Sequence, residues 1–172
     1  VTGSGAVILG HEGKARAKIT GITTGRVVDF GIKDANNMGA SMAPAAAHTI
    51  SQHLRDFEIT PSEYDRIFTG DLGQYGLQLA QELIERDGFQ TEDRLSDCGL
   101  IVYDRESQDV HAGGSGCGCS AITLSNYIIP ALEERKFRKV LFVPTGALLS
   151  PLSTQQGESV PGIAHALVLE AV

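Results

Sequence analysis

No basic run interrupts this sequence, and a formal net charge of −7 argues against a nucleic-acid partner. The stretch Glu133, Glu134, Arg135, Lys136, Arg138, Lys139 is mixed in sign and reads as a solvated helix end. No apolar run reaches the roughly 18 residues that a membrane span needs, and no basic-then-apolar leader marks secretion. Cysteine is scarce. Cys98, Cys117 and Cys119 do not make a disulfide framework, so a reducing, intracellular compartment is expected. A methionine at the first position is also missing. Val1 comes first and "TGSGAVILG" runs straight into a strand-like segment, which reads as a piece of a longer protein.

What is present, 172 residues of which 42% are hydrophobic and 20% charged, suffices for one sizeable core, and a single domain over 1–172 is expected. Ala6–Leu9 is a short apolar strand. "ARAKITGITTGRVVDFGI" alternates around glycines and predicts strands Ala17–Gly21 and Arg26–Phe30. Asn36 and Asn37 are good helix starters. Met42, Ala46, Ile50, Leu54 and Phe57 have helical spacing within Met38–Phe57, with Pro44 near its first turns. A buried strand, Arg66–Thr69, leads through the polar loop "GDLGQYG" to a helix over Leu72–Asp87. "CGLIVYD" reads as a strand, and "AITLSNYIIPALEERKF" as a helix with Ala121, Leu124, Ile128 and Leu132 on one face. "KVLFVPTGAL" has the continuous apolar run of a strand covered on both faces. After the polar loop "SPLSTQQGESVPG", "IAHALVLEAV" closes the chain as a strand. The order β-β-β-α-β-α-β-α-β-β predicts a layered α/β fold with a mixed, largely parallel sheet and helices on both faces. Ligands in such folds gather beyond the strand ends, which points to the loops after 66–69 and 100–103.

Several segments in one order carry a resemblance. "NNMGASMAPAAAHTI" resembles the thiolase segment that places Met-Gly and then Pro-Ala at the head of a helix. "YDRIFTGDLG" resembles the strand and loop that carry Asn-Glu in thiolases and His-Gln-Ala-Asn in ketoacyl synthases. "GGSGCGCSA" resembles the glycine-rich turn that reads Gly-His-Pro-x-Gly-x-Ser-Gly-Ala in thiolases, and "TGSGAVIL" and "VPTGALLS…GIAHALVLE" fit the opening and closing strands of the C-terminal half of that fold. In the wording of "FTGDLGQYG" and "HAGGSGCGCSA" the chain is similar to the stage V sporulation protein AD family. That resemblance implies a thiolase-fold protein that binds dipicolinic acid (pyridine-2,6-dicarboxylate). It further implies a role in taking the acid up into the developing spore together with membrane partners, at the forespore or spore inner membrane. A preceding N-terminal half, with the family's nucleophilic cysteine and its main dimer interface, is implied as well.

Departures from the thiolase pattern bear on the chemistry. Those enzymes need imidazole or amide groups to handle protons and hold the thioester oxyanion. Aligned on "DRIFTGDLG" the His or Asn position falls on Gly70, and aligned on "GGSGCGCSA" the catalytic His falls on Gly114. Neither glycine can act as acid, base or oxyanion donor, so a non-catalytic binding protein is expected. The alternatives are a divergent thiolase or ketoacyl-synthase-type acyltransferase that has moved its catalytic groups, and a structural subunit that holds membrane partners together.

The candidate ligand-binding residues are Asp71, Gln74, His111, Gly114, Ser115 and Cys117. Gly113, Gly114, Gly116 and Gly118 allow backbone N–H groups to converge ahead of a helix start and to bind a carboxylate, with Ser115 adding a hydroxyl; close helix–sheet packing is the plainer use of the same glycines. Asp71 and Gln74 line the cleft, contacting the ligand or a calcium ion carried with it, or else Asp71 caps the helix near Leu72. His111 is either a ligand-facing donor or a partly buried histidine bound to backbone. Cys117-Gly118-Cys119 lacks the usual zinc spacing and a second pair, so no metal site is expected. A thiolate at a helix start is one reading of Cys117 and Cys119, and small apolar packing is the other. The loop Ser150–Gly162 covers a pocket or meets a partner.

Overall fold

The computed structural model describes residues 1–172. In chain order its elements are β1 (Ala17–Thr23), α1 (Met38–Asp56), β2 (Arg66–Thr69), α2 (Gly73–Arg86), β3 (Leu95–Asp97), α3 (Cys98–Ile101), α4 (Cys119–Thr123), a π turn (Leu124–Ile128), α5 (Ile129–Glu133), β4 (Lys139–Val143), β5 (Thr145–Ala147), α6 (Pro151–Gln155), β6 (Gly162–Ala164) and β7 (Ala166–Ala171). A five-stranded sheet runs β1-β7-β4-β2-β3, and β5 and β6 form a separate hairpin. This is the layered α/β class expected.

The side-chain alternation of the central strands explains the layers. Ile67, Leu141, Val143, Ala166 and Val168 face α1 and α2, where they pack with Ile50, Leu54 and Ile84. Phe68, Val140, Phe142 and Leu169 face the other way, onto Cys98, Cys119, Ile128 and Leu132. β4 is therefore buried on both faces, as its unbroken apolar run predicts. Asn37 starts α1 by accepting the Ala40 amide at 3.3 Å. Small residues let the next elements come close: a Cβ on Gly76 would lie 2.9 Å from Gly39 Cα, where α2 crosses α1. α4 and α5 make one helical run whose middle turn is wide. Pro130 follows that turn, and the Ile129 amide reaches back to the Leu124 carbonyl, which fits a helix making room for a proline ring.

Three strand expectations are corrected. Ala6–Leu9 forms no strand and pairs with none, and Ile8 is fully exposed at 100%. Arg26–Phe30 contributes only a bridge from Val28 to Gly162. "CGLIVYD" is not a strand: the strand is Leu95–Asp97, and Cys98–Ile101 turns into α3 because the Asp97 side chain accepts the Gly99 amide. The sheet is also less parallel than expected. β2 pairs in parallel with β3 and β4, whereas β7 is antiparallel to both β4 and β1. The chain returns from β4 to β7 through the β5–β6 hairpin, which needs no crossover helix. The loop Ser150–Gly162 contains α6 and is tied to the 29–32 segment by Val160 N to Ile32 O at 2.7 Å. No helix is long and apolar enough to cross a membrane.

A buried polar chain joins β1, α1 and the start of β2. Thr23 Oγ1 lies 2.7 Å from His53 Nδ1, and His53 Nε2 lies 2.6 Å from the Tyr64 hydroxyl. Burial holds His53 well below its ordinary value, at about 4; Asp56 pulls it up and Lys139 pushes it further down. The unfolded chain takes up this proton near pH 6.5 and the folded one only near pH 4, so stability is full above that window and falls as pH drops through it. The loss expected between pH 7 and pH 4 is up to roughly 3 kcal/mol. Urea unfolding of wild type and His53→Gln at the two pH values checks it: the variant's midpoint should depend less on pH, and an equal dependence would overturn the assignment.

Candidate functional site

Asp97, at the end of β3, organises the site. Its Oδ2 accepts the Thr69 hydroxyl at 2.6 Å and the Leu72 amide at 3.0 Å, and its Oδ1 accepts the amides of Gly73 at 3.1 Å and Gly99 at 3.0 Å. One carboxyl thus ties the end of β2 to the starts of α2 and α3. The side chain is fully buried. Burial pushes the Asp97 carboxyl above its ordinary value, while the hydrogen bonds from Thr69, Leu72, Gly73 and Gly99 pull it back. The sequence reading passed over this residue. Its one local signal is an Asp two residues before a glycine at a strand end, the pattern of a side chain turned onto its own backbone.

Because Asp97 satisfies the first amides of α2, Asp71 is not their cap; the residue preceding α2 makes no side-chain cap, and the chain enters the helix at Gly73 with φ of +67°. Asp71 instead crosses to the glycine loop, where its Oδ2 accepts the Ser115 hydroxyl and the Gly116 amide, both at 2.9 Å. Gly116 holds φ at +130°, a conformation that side chains rarely adopt, and this aims its amide. The other loop amides are largely internal: Gly114 N donates to Gly99 O at 2.7 Å and Gly113 N to Val110 O at 2.9 Å. Within 113–118 the donors that meet a carboxylate are therefore one hydroxyl and one amide, and the carboxylate is the protein's own Asp71.

Gln74 joins the same cluster. Its amide donates to Ala112 O at 2.8 Å, and its side-chain oxygen accepts from Arg105 at 2.7 Å. Arg105 brings a cation to this loop cluster and was not singled out from sequence. His111 does not join it. With φ of +47° it turns outward, 89% exposed, its Nδ1 3.4 Å from Asp109 Oδ1. The two cysteines of the glycine loop separate, Cys117 exposed and Cys119 buried with Cys98. Burial, with Asp71 and Asp97 nearby, pushes the Cys119 thiol up to about 11, and burial pushes Cys98 up too, the reverse of an activated thiolate. No group of three His, Cys, Asp or Glu side chains is placed so that it could hold a metal ion.

Gly70 and Gly114 are both closely packed. A Cβ on Gly70 would meet Thr145 Oγ1, sit 2.7 Å from Thr145 N and lie 3.2 Å from Ser120 Oγ. One on Gly114 would lie 2.8 Å from Val1 Cγ2 and 2.9 Å from Tyr103 Cε2. Thr145 also faces the Asp71 amide at 3.4 Å.

The fold and site define a layered α/β protein in which a buried aspartate draws strand-end loops around a small cluster of carboxylate, hydroxyl and amide groups. Residues 1–170 match the family model of stage V sporulation protein AD. The chain is 46% identical over 170 residues to stage V sporulation protein AD of Bacillus subtilis (strain 168), which covers 99% of this chain and 50% of that protein. It belongs to the stage V sporulation protein AD family, and it spans about half the length of that curated relative. Among solved structures, AbyA1, a tetronic acid condensing enzyme, aligns with a TM-score of 0.49 at 12% identity, covering 93% of this chain and 49% of that one.

Two measurements check the site. Asp97→Asn sets an NH2 against backbone N–H groups and is expected to cost about 3 kcal/mol, read as a lower urea midpoint; an unchanged midpoint would contradict the organising role. In the native protein iodoacetamide should alkylate Cys117 and spare Cys98 and Cys119 until denaturant is added. Peptide mass spectrometry reads this directly, and native labelling of Cys119 would show the loop packing to be wrong.

Proposed function

We propose that this chain forms part of a non-catalytic binding protein for dipicolinic acid, acting with membrane partners in uptake of the acid into the developing spore. One observation carries the reading: Ser115 Oγ and Gly116 N already hold a carboxylate, that of Asp71, at an exposed loop cluster. Charge-assisted bonds from a hydroxyl and an amide recognise carboxylates without a cationic side chain, which suits an acidic protein. Arg105, beside Gln74, offers a cation for the second carboxylate of a planar dicarboxylic acid. Family membership supports the sporulation role. Neighbours crowd both Gly70 and Gly114, which supports the absence of thiolase-type proton chemistry.

The remainder of the pocket, the dimer contact and attachment to the membrane partners are assigned to the half of the family protein that this chain does not span. A calcium ion carried with the ligand would find its carboxylate in Asp71. Calorimetry of the full-length protein with dipicolinate, with and without calcium, tests the proposal. Binding is expected in the wild type and at least fivefold weaker binding in Ser115→Ala. No heat and no thermal shift would sink it, and acyl-CoA turnover by the same preparation would establish the enzyme instead.

A further inference from the structure

The Asp71 carboxylate caps no helix. The amides it would have capped belong to Asp97. Its own amide faces only Thr145 Oγ1, at a long 3.4 Å. Its side chain makes two bonds, both on Oδ2, to donors 44 and 45 residues further along the chain. Those contacts are solvent-exposed, so they add little to stability and lie open to a dissolved anion. The loop that carries the donor pair is also held by other bonds: Gly114 N donates to Gly99 O at 2.7 Å, and Gly116 O accepts the Cys119 amide at 2.9 Å. The cradle is therefore anchored independently of the carboxylate inside it.

We propose that Asp71 is an internal competitor at this site: it occupies the carboxylate cradle of Ser115 and Gly116 in the empty protein and is displaced by a carboxylate of the ligand. The proposal rests on the binding reading above and adds a regulation to it. A ligand meets a binding-competent cradle only in the fraction of molecules where Asp71 has swung out, so the apparent affinity is lowered by that fraction. The displaced carboxylate stays beside the bound anion and favours its departure. Weak, reversible capture is the consequence, as a protein that hands its ligand onward requires.

The test is calorimetric titration of the full-length wild type, Asp71→Ala, Asp71→Asn and Ser115→Ala with dipicolinate. It is repeated at about 1 M salt, where the Debye length is about 3 Å and simple repulsion by Asp71 is screened. Asp71→Ala is expected to bind roughly fivefold tighter at both salt concentrations. Asp71→Asn, which keeps a weaker acceptor in the cradle, should fall between it and the wild type, and Ser115→Ala should bind more weakly. Asp71 variants that bind equally or more weakly while the wild type binds would overturn the competitor and leave the binding reading intact. Tightening that vanishes at high salt would also overturn it. If no variant binds dipicolinate, the binding reading fails, and a second measurement decides the competitor: the Gly116 amide resonance in 15N-glycine-labelled protein titrated with acetate. A shift in Asp71→Ala but not in wild type upholds internal competition, and no shift in either overturns it.

Discussion

Much of this structure follows from where one buried carboxyl can find partners. Asp97 stands at the end of β3 with no solvent to satisfy it, and a polar group so placed must be hydrogen-bonded or it destabilises the fold. Its partners are the hydroxyl that ends β2 and three amides from two helix starts, so satisfying one side chain positions both loops at that end of the sheet. The consequences run in sequence. α2 no longer needs a cap from Asp71, Asp71 is free to cross to Ser115 and Gly116, and the carbonyl of Gly99 is presented to Gly114, which docks the glycine loop.

Glycine acts here chiefly through what it leaves out. A Cβ on Gly99 would run into the Gly114 carbonyl, and one on Gly70 into Thr145, so the loops pack at backbone distance. The glycines of the loop at 113–118 differ in what they do: Gly114 packs at backbone distance from Gly99, whereas Gly116 presents its amide to Asp71. The chain belongs to a sporulation protein family, and its loop cluster brings a hydroxyl and an amide onto a carboxylate.

Legibility from sequence followed how local each cause was. Asn37 and the spacing of Met42, Ala46, Ile50 and Leu54 marked α1 to within a residue, because capping and helical periodicity are settled within a few turns. The apolar run of β4 announced burial on both faces. Ala6–Leu9 carried an equally apolar signal and is no strand, since a strand exists only where another offers it hydrogen bonds. "CGLIVYD" had strand composition, yet the Asp97 side chain, by taking the Gly99 amide, started a helix there instead. Asp71, Gln74 and Ser115 were legible as candidates from their loops, but His111, in the same stretch, points at Asp109 because of a backbone angle that its neighbours' identities do not specify.

The amino-acid sequence by itself determined the α/β class, the family, the absence of side chains at Gly70 and Gly114, and the loops in which a site could form, since each is written in composition, periodicity or residue identity. Only the tertiary structure decided that Asp97 holds the site together, that Asp71 lies in the cradle rather than on a helix start, and that Cys119 is buried while Cys117 is not. Those outcomes depend on which of several donors a carboxyl meets across the sheet, and that is set by the pairing of strands far apart in the chain.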